Sequence, residues 1–156
     1  MDNIIHQLTP NDLPLMQDLL SMFGEAFDDL ETYNAKRPVD AYLQRLLAGE
    51  TFIALAALQG NRVVGGLAAY ELKKFEQERS EIYIYDLAVD KDHRREGVAT
   101  ALIKKLQHIA AERGAYVIFV QADTTPDDEP AIALYTKLGT REDVLHFDIA
   151  VDGGEN

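Results

Sequence analysis

The feature that most constrains the fold is a strand that runs directly into a loop and a long helix. Residues Glu81–Val89 are rich in aromatic and β-branched side chains, which favours a strand. The polar loop Asp90–Glu96 follows, and Gly97–Arg113 has apolar residues at helical spacing, with Gly114 as a C-terminal cap. Tyr116–Gln121 has the composition of a buried strand. A strand, a crossover helix and a second strand predict a parallel pair.

The loop has the composition of an anion-binding site. Arg94, Gly97 and Ala99 lie where the chain enters the helix, and small residues allow backbone N–H groups to approach an anion. The sequence has neither a Walker motif nor a Gly-x-Gly-x-x-Gly fingerprint, which disfavours nucleotide hydrolysis and Rossmann-type redox chemistry. A pyrophosphate would fit this loop. The alternative, from these residues alone, is a solvated basic turn that only caps the helix.

Composition restricts the classes of function. The chain has 156 residues, 47% of them hydrophobic, which is enough for one domain over residues 1–156. It contains no cysteine, which excludes a thiolate nucleophile and cysteine metal ligands. The net charge of -12 disfavours nucleic acid and anionic membranes and favours a cationic partner. The alternative is that the acidity serves only solubility.

Targeting and metal signals are both missing from the sequence. The first residues lack the basic and apolar regions of a signal peptide, and no apolar run approaches the ~20 residues of a membrane span. His93, His108 and His146 are not spaced as metal ligands. We therefore expect a cytoplasmic protein without a bound metal.

Periodicity predicts further elements along the chain. The acidic run Phe23–Tyr33 is interpreted as a solvated face, because most charge runs are solvated. The predicted elements are a strand Ile4–Leu8, a helix after Thr9–Asp12, a helix between Pro38 and Gly49, an antiparallel hairpin Thr51–Leu58 and Val63–Glu71, a helix Ala131–Leu138, and a final strand or hairpin Thr140–Val151.

Three segments together resemble the successive motifs of the GNAT acetyltransferase superfamily. They are the strand Glu81–Val89, the loop Arg94–Ala99 and the helix Ala131–Gly139. The resemblance implies an α/β (α+β) GNAT fold with a mixed sheet of six to seven strands, about four flanking helices, and a splayed pair of parallel strands. Further segments are similar to the type I aminoglycoside 3-N-acetyltransferases, namely Thr51–Ala57, Lys74–Gln77, Ser80–Val89, Gly114–Ile118, Val120–Asp123 and His146–Ile149.

This narrower resemblance implies a reaction and its substrates. The donor is acetyl-CoA, and the acetyl group passes directly to the 3-amino group of the 2-deoxystreptamine ring of gentamicin-type aminoglycosides, which confers resistance. A homodimer is also implied. The residues implied to bind acetyl-CoA are Leu87, Ala88 and Val89 through their main chain, and Arg94, Arg95, Gly97, Val98, Ala99 and Thr100 around the pyrophosphate.

Two side chains are the candidate catalysts. An ammonium has no lone pair, so the acceptor needs a base, and Asp86 stands at the end of an apolar strand, just before the pantetheine segment. The alternatives are that Asp86 is a turn acceptor, or that Glu81 acts through water. Tyr135 matches the tyrosine that GNAT enzymes place beside the CoA sulfur, where a phenol with a pKa near ~10 can protonate the leaving thiolate. Its alternative role is core packing.

Acidic side chains are expected to bind the ammonium groups of the acceptor. Asp123 is the first candidate, Glu129 the second, and Tyr85 and Asp86 lie on the neighbouring strand. Two other functions stay open: a GNAT enzyme that acetylates a polyamine or a protein amine, and a CoA-binding module without catalysis. The presence of Asp86 and Tyr135 argues against the second.

Overall fold

The structure is a computed structural model that describes residues 3–152, which fall into two compact units, one ending at Gln121 and one beginning at Ala122. The strands are β1 (Ile4–Gln7), β2 (Phe52–Gln59), β3 (Arg62–Lys73), β4 (Ser80–Val89) and β5 (Ala115–Val120). The helices are α1 (Leu13–Ala26), α2 (Asp40–Ala48), α3 (Val98–Arg113) and α4 (Glu129–Leu138), with a π-helical turn at Glu31–Ala35 and 3-10 turns at Lys91–His93 and Pro126–Asp128.

The first unit is built on one mixed sheet with the strand order β1-β2-β3-β4-β5. The first four strands pair in antiparallel fashion, and β5 pairs with β4 in parallel. Helix α3 makes the crossover between β4 and β5 and ends at Gly114, whose φ of 78° is left-handed. The structure thus confirms the α/β fold, the predicted hairpin of β2 and β3, and the predicted parallel pair.

Helices cover both faces of the sheet, as the buried side chains show. Met16 and Leu19 of α1, with Leu43 of α2, pack in one cluster with Ala54 and Ala56 of β2. Successive strand residues point to opposite faces, so the odd-numbered residues of β2 face the other side. Helix α3 has its own buried set, namely Val98, Leu102, Ile103, Leu106, Ile109 and Ala110.

Two adjacent glycines in β3 mark the close approach of these helices. A Cβ at residue 66 would overlap Leu19 of α1, and a Cβ at residue 65 would lie 2.7 Å from Val98 Cγ1 of α3. Leu19 and Val98 are both buried. Because Gly65 and Gly66 face opposite sides of the sheet, each leaves the space that one helix needs.

The predicted final strand at Thr140–Val151 is wrong, because residues 140–151 form no strand. Leu145, Phe147 and Ile149 alternate as in a strand, yet all three are exposed. Alternation favours a strand only where a partner pairs with it and covers its apolar face. The sheet of the described residues therefore has five strands instead of six to seven.

The second unit contains α4 and the short turn that precedes it. The predicted helix Ala131–Leu138 is confirmed and begins two residues earlier, at Glu129. Pro130 lies in its first turn, where a missing N–H costs no intrahelical hydrogen bond. A single domain over residues 1–156 stays a prediction, and residues 1–2 and 153–156 lie outside the described part.

The glycine at position 66 gives a stability prediction. We expect Gly66→Ala to lower the free energy of unfolding by about 1–3 kcal/mol, because the added methyl group must displace the fully buried Leu19. Urea unfolding followed by circular dichroism measures this loss. Gly49→Ala is the matched control, since a Cβ there would lie 3.5 Å from its nearest neighbours. Equal unfolding midpoints for the two variants would contradict the close packing of α1 on β3.

Candidate active site

Asp86 follows directly on an irregularity in β4. Where β3 and β4 pair, Ala69 is opposite Ile84 and Ala68 is opposite Asp86, so no residue of β3 lies opposite Tyr85. Such a bulge adds one residue and redirects the side chains that follow it. Bulges of this kind commonly lie next to active sites, where they re-aim a side chain. The bulge therefore sets the direction of the Asp86 carboxylate.

The strand beyond the bulge has one unpaired edge. Strand β5 lies beside β4 only as far as the pair Ile84 and Val120. Leu87, Ala88 and Val89 continue to pair with β3, and no strand in residues 3–152 pairs with their other edge. The parallel strands thus separate after the bulge, as predicted. The Val89 carbonyl accepts a hydrogen bond from Arg94 Nε, and the other backbone groups on this edge are available to an extended amide-containing ligand.

Asp86 is half-buried and has a phenol as its hydrogen-bond partner. The Tyr33 hydroxyl donates to Asp86 Oδ2 at 2.9 Å. Burial raises the pKa of Asp86, and the hydrogen bond from Tyr33 acts in the opposite direction. Within residues 3–152, Asp86 forms no ion pair. A cation bound next to this carboxylate would therefore supply the missing counter-charge.

The glycine loop holds two exposed arginines in a defined backbone conformation. Arg94 and Arg95 are exposed, and Arg94 Nε donates to the carbonyl of Val89 at 3.5 Å. The φ angles of Arg95 and Gly97 are 64° and 80°, both left-handed. A Cβ at residue 97 would meet no atom within 4 Å. Glycine at 97 therefore serves the backbone conformation and not close packing.

The start of α3 presents unpaired backbone donors. The helix begins at Val98, and no side chain caps it. The N–H groups of Val98, Ala99 and Thr100 belong to the first turn, where no intrahelical acceptor exists. The side chain of Val98 is buried, whereas Ala99 and Thr100 are partly exposed. This end of the helix is therefore a site with favourable electrostatics for an anion.

The remaining predicted residues lie in the second unit. Tyr135 is on α4, and burial, assisted by the Asp128 carboxylate, raises its pKa to about 12. Its phenol is therefore protonated at neutral pH. Asp128 Oδ2 also accepts the backbone N–H of Asp123 at 2.8 Å. Asp123 and Glu129 are exposed, so both carboxylates face solvent.

Tyr33, which contacts Asp86, was not predicted from the sequence. Tyr33 ends an acidic run that was interpreted as a solvated face, yet it is half-buried, because it packs against Phe23 and Phe27. It is 53 positions from Asp86 in the chain, so no local pattern joins the two. The one signal was the presence of an aromatic residue at the end of the charge run.

Two kinds of feature are absent from residues 3–152. No group of three or more His, Cys, Asp or Glu side chains could hold a metal ion. No helix there has the length and apolar character needed to cross a membrane.

Comparison with known proteins places the chain in a family. The profile of the acetyltransferase (GNAT) family matches residues 15–140. N-acetyltransferase 8F1 of Rattus norvegicus is 30% identical over 91 residues, which cover 58% of this chain and 40% of that protein. The chain thus spans less than half the length of this curated relative.

Solved structures extend the similarity over nearly the whole chain. An aminoglycoside acetyltransferase from an uncultured soil metagenomic sample is 68% identical, with a TM-score of 0.96, and the match covers 97% of this chain and 100% of that one. A second soil metagenomic aminoglycoside acetyltransferase, in complex with sisomicin, is 34% identical with a TM-score of 0.87, over 96% and 97% of the two chains. With the family profile matching most of its residues, the chain belongs to the acetyltransferase (GNAT) family.

Proposed function

We propose that the protein is an acetyl-CoA-dependent aminoglycoside N-acetyltransferase that modifies the 3-amino group of gentamicin-type acceptors. The observation that carries this proposal is the Asp86 carboxylate, which lies without a cation beside the unpaired edge of β4. The similarity to two aminoglycoside acetyltransferases supports the acceptor class. The assignment of the 3-amino group as the site of acetylation follows from the resemblance to the type I 3-N-acetyltransferases.

The first unit offers two neighbouring surfaces to the donor. The free edge at Leu87, Ala88 and Val89 suits the two amides of a pantetheine arm, which can pair like an added strand. The loop and the first turn of α3 suit the pyrophosphate, with the guanidinium groups of Arg94 and Arg95 and the backbone N–H groups of Gly97, Val98, Ala99 and Thr100 as donors.

Asp86 is assigned the role of base. The acceptor arrives as an ammonium, and Asp86 takes one of its protons, so that the amine nitrogen gains a lone pair. This nitrogen attacks the thioester carbonyl carbon and the new C–N bond forms. As the C–S bond breaks, the nitrogen gives up a second proton to solvent and becomes the amide nitrogen, which balances the proton that the leaving thiolate takes up. Burial raises the pKa of Asp86, which brings its basicity closer to the pH at which it works. The carboxylate is restored when the proton passes to water.

Tyr135 is assigned the role of acid. The sulfur leaves as a thiolate, and a phenol with a pKa of about 12 is protonated at neutral pH and can donate a hydrogen bond or a proton to it. No covalent enzyme intermediate is needed, which agrees with the absence of cysteine.

The acceptor is proposed to contact Tyr85 and three carboxylates. Tyr85 is 63% exposed at the bulge, and its ring makes edge-on contacts with Tyr70 and Tyr83. Such an exposed aromatic surface suits the apolar face of a sugar ring. The carboxylates are Asp86, Asp123 and Glu129, and the net charge of -12 favours a polycation overall.

A homodimer is part of the proposal. Leu145, Phe147, Ile149 and Val151 are each more than 70% exposed and alternate along the chain. A second copy of the chain is the partner that would cover these exposed apolar side chains in a homodimer.

The test of this function is the release of free thiol from acetyl-CoA with parallel acceptors. We expect fast release with gentamicin and sisomicin, and little with spermidine or a lysine peptide. NMR of the acetylated product then identifies the modified amine. Because the chain has no cysteine, the protein adds no thiol background. Turnover with spermidine or the peptide alone would reject the acceptor class and retain the acetyltransferase family.

Asp86→Asn is the matched inactive variant for this assay. Its amide oxygen can still accept the Tyr33 hydrogen bond, so the fold is kept while the base is lost. We expect turnover to fall by about 10²–10⁴-fold, the usual contribution of a general base. Affinity for CoA is expected to stay near that of the unaltered protein. An unchanged rate would remove Asp86 as the base.

Tyr135→Phe tests the acid. The substitution keeps the ring and removes the hydroxyl, so we expect kcat to fall by about 10²-fold while the KM of acetyl-CoA changes little. Steady-state kinetics at saturating acceptor measure both constants. Tyr42→Phe, at an exposed tyrosine of α2, is the control for loss of a phenol. Equal kinetics of the two variants would leave Tyr135 with a packing role only.

Arg94→Ala tests the anion-binding loop. Arg94 is exposed and its removal takes one charged donor from the proposed pyrophosphate site. We expect the KM of acetyl-CoA to rise about tenfold, with kcat nearly unchanged, because the lost contact is made equally before and during the reaction. Arg45→Ala on the exposed face of α2 is the control. A KM equal to that of the control would mean that the loop binds a different part of the ligand.

A further inference from the structure

Tyr33 is held over Asp86 by a segment that has no buried residues of its own. The π-helical turn Glu31–Ala35 is five residues long, and none of its side chains is buried. Helical turns of this kind are rare and concentrate at functional sites. The turn therefore depends on contacts with other elements to keep the Tyr33 hydroxyl 2.9 Å from Asp86 Oδ2.

Arg37 supplies most of these contacts. Its Nε donates to the carbonyl of Tyr33 at 3.3 Å, and its Nη1 donates to both the carbonyl and Oε1 of Gln17, at 3.2 and 3.0 Å. Its Nη2 donates to Ser21 Oγ at 3.0 Å and to Asn34 Oδ1 at 2.8 Å. One guanidinium thus connects the turn to α1.

All five acceptors of Arg37 are neutral. Within the described residues it forms no ion pair, so its guanidinium serves to fix geometry. The planar fork of arginine can reach several acceptors at fixed angles, which the ammonium of lysine cannot do. The side chain is half-buried, which restricts the access of competing water.

Gly24 of helix α1 allows the π-helical turn to pack closely on the helix. A Cβ at Gly24 would lie 2.9 Å from Asn34 Oδ1 and 3.3 Å from Tyr33 Cβ, so the turn packs directly on the helix backbone. The Tyr33 ring also packs with Phe23 and Phe27, with ring centroids 6.0 and 5.7 Å away. The aromatic contacts hold the Tyr33 ring, and Arg37 holds the Tyr33 backbone through its carbonyl.

We propose that Arg37 is a positioning residue for Asp86, because it holds the turn from which Tyr33 donates a hydrogen bond to the Asp86 carboxylate. The inference deepens the proposed function, on which its catalytic meaning rests. Arg37 touches neither substrate nor Asp86, and it acts through Tyr33. Without Arg37, the Tyr33 hydroxyl is still present, but its direction toward Asp86 is no longer fixed.

Burial and the hydrogen bond from Tyr33 are the two influences on the pKa of Asp86. Burial first, and then neighbouring charges that include Asp86, raise the pKa of Tyr70 on β3 and of Tyr83 on β4, and the Asp29 charge contributes to the raised pKa of Tyr33. Burial and the Asp86 charge raise the pKa of Tyr33 well above its usual value, so it stays a donor at any working pH. A donated hydrogen bond stabilises the ionised carboxylate, and Tyr33 is the hydrogen-bond partner of Asp86.

The direct test is the titration of Asp86 by carbon-13 NMR of the full chain labelled at aspartate, with the Asp86 signal identified from Asp86→Asn. We expect the Asp86 midpoint to rise by about one pH unit in Tyr33→Phe, which removes a hydrogen bond to a charged group. Arg37→Lys is expected to shift it in the same direction by a smaller amount. Arg45→Lys is the matched control on an exposed arginine.

The kinetic test is the pH profile of kcat/KM with the preferred acceptor. Because Asp86 must be ionised to accept a proton, kcat/KM is lost as the pH falls through its pKa. A raised pKa moves this acid limb to higher pH, so we expect an upward shift of about one unit in Tyr33→Phe. The KM of acetyl-CoA is expected to stay within about twofold.

A second set of variants separates positioning from folding. Asn34→Ala removes one acceptor of Arg37 and leaves the guanidinium in place, and the melting temperature of every variant is recorded. Tyr116→Phe removes another phenol–carboxylate hydrogen bond, from Tyr116 of β5 to Glu81, which lies on β4 with Asp86. We expect no shift of the Asp86 midpoint in Tyr116→Phe and a small upward shift in Asn34→Ala.

The outcomes separate the inference from the proposed function. An unchanged Asp86 midpoint in folded Arg37→Lys overturns the inference whatever the enzyme acetylates, whether or not Tyr33→Phe shifts the midpoint. Full turnover in Asp86→Asn, or an acid limb that moves only in Tyr116→Phe, overturns Asp86 as the base, while the NMR titration still decides the roles of Arg37 and Tyr33.

Discussion

Helices α1 and α3 both pack closely on the Gly65–Gly66 dipeptide of β3. This packing fixes the two parts of the candidate site, the anion-binding loop and the pair of Tyr33 and Asp86. Gly65 leaves room for Val98 at the start of α3, and Gly66 leaves room for Leu19 in the middle of α1. The anion-binding loop is continuous with α3, and the turn that carries Tyr33 packs on α1. Strand β3, which holds both glycines, also pairs with the segment of β4 that contains Asp86. The relative placement of loop, phenol and carboxylate therefore depends on close packing at residues 65 and 66.

The electrostatics of Asp86 fit a cationic acceptor. The carboxylate is half-buried and accepts a hydrogen bond from a phenol, while no cation in the described residues neutralises it. Desolvation of an unpaired carboxylate is unfavourable, so the free protein holds a charge that a substrate ammonium can compensate. In the proposed mechanism, the first binding contact and the proton acceptor are the same group. This arrangement favours acceptors with several ammonium groups, because proton loss from one leaves others to hold the acceptor in place.

Local patterns predicted the fold of the first unit closely. The strand Glu81–Val89 and the helix ending at Gly114 follow from residue types over short windows. Tyr33 and Arg37 were not predicted, because their partners lie 53 and up to 20 positions away in the chain. The wrong final strand has a related cause. The alternation at Thr140–Val151 is compatible with a strand. A strand also needs a partner strand to pair with, and the local sequence does not show whether one is present.

Val98 connects the ligand site to the core in a way that has thermodynamic consequences. Its side chain is buried against β3, while its backbone N–H belongs to the first turn of α3. A ligand that bonds to this turn needs the helix start in place, and that requires the core beneath it to be packed. Binding free energy at the loop is therefore also folding free energy, by linkage. In the proposed enzyme, a CoA ester bound at this loop would therefore raise the free energy of unfolding and protect the folded chain against proteolysis.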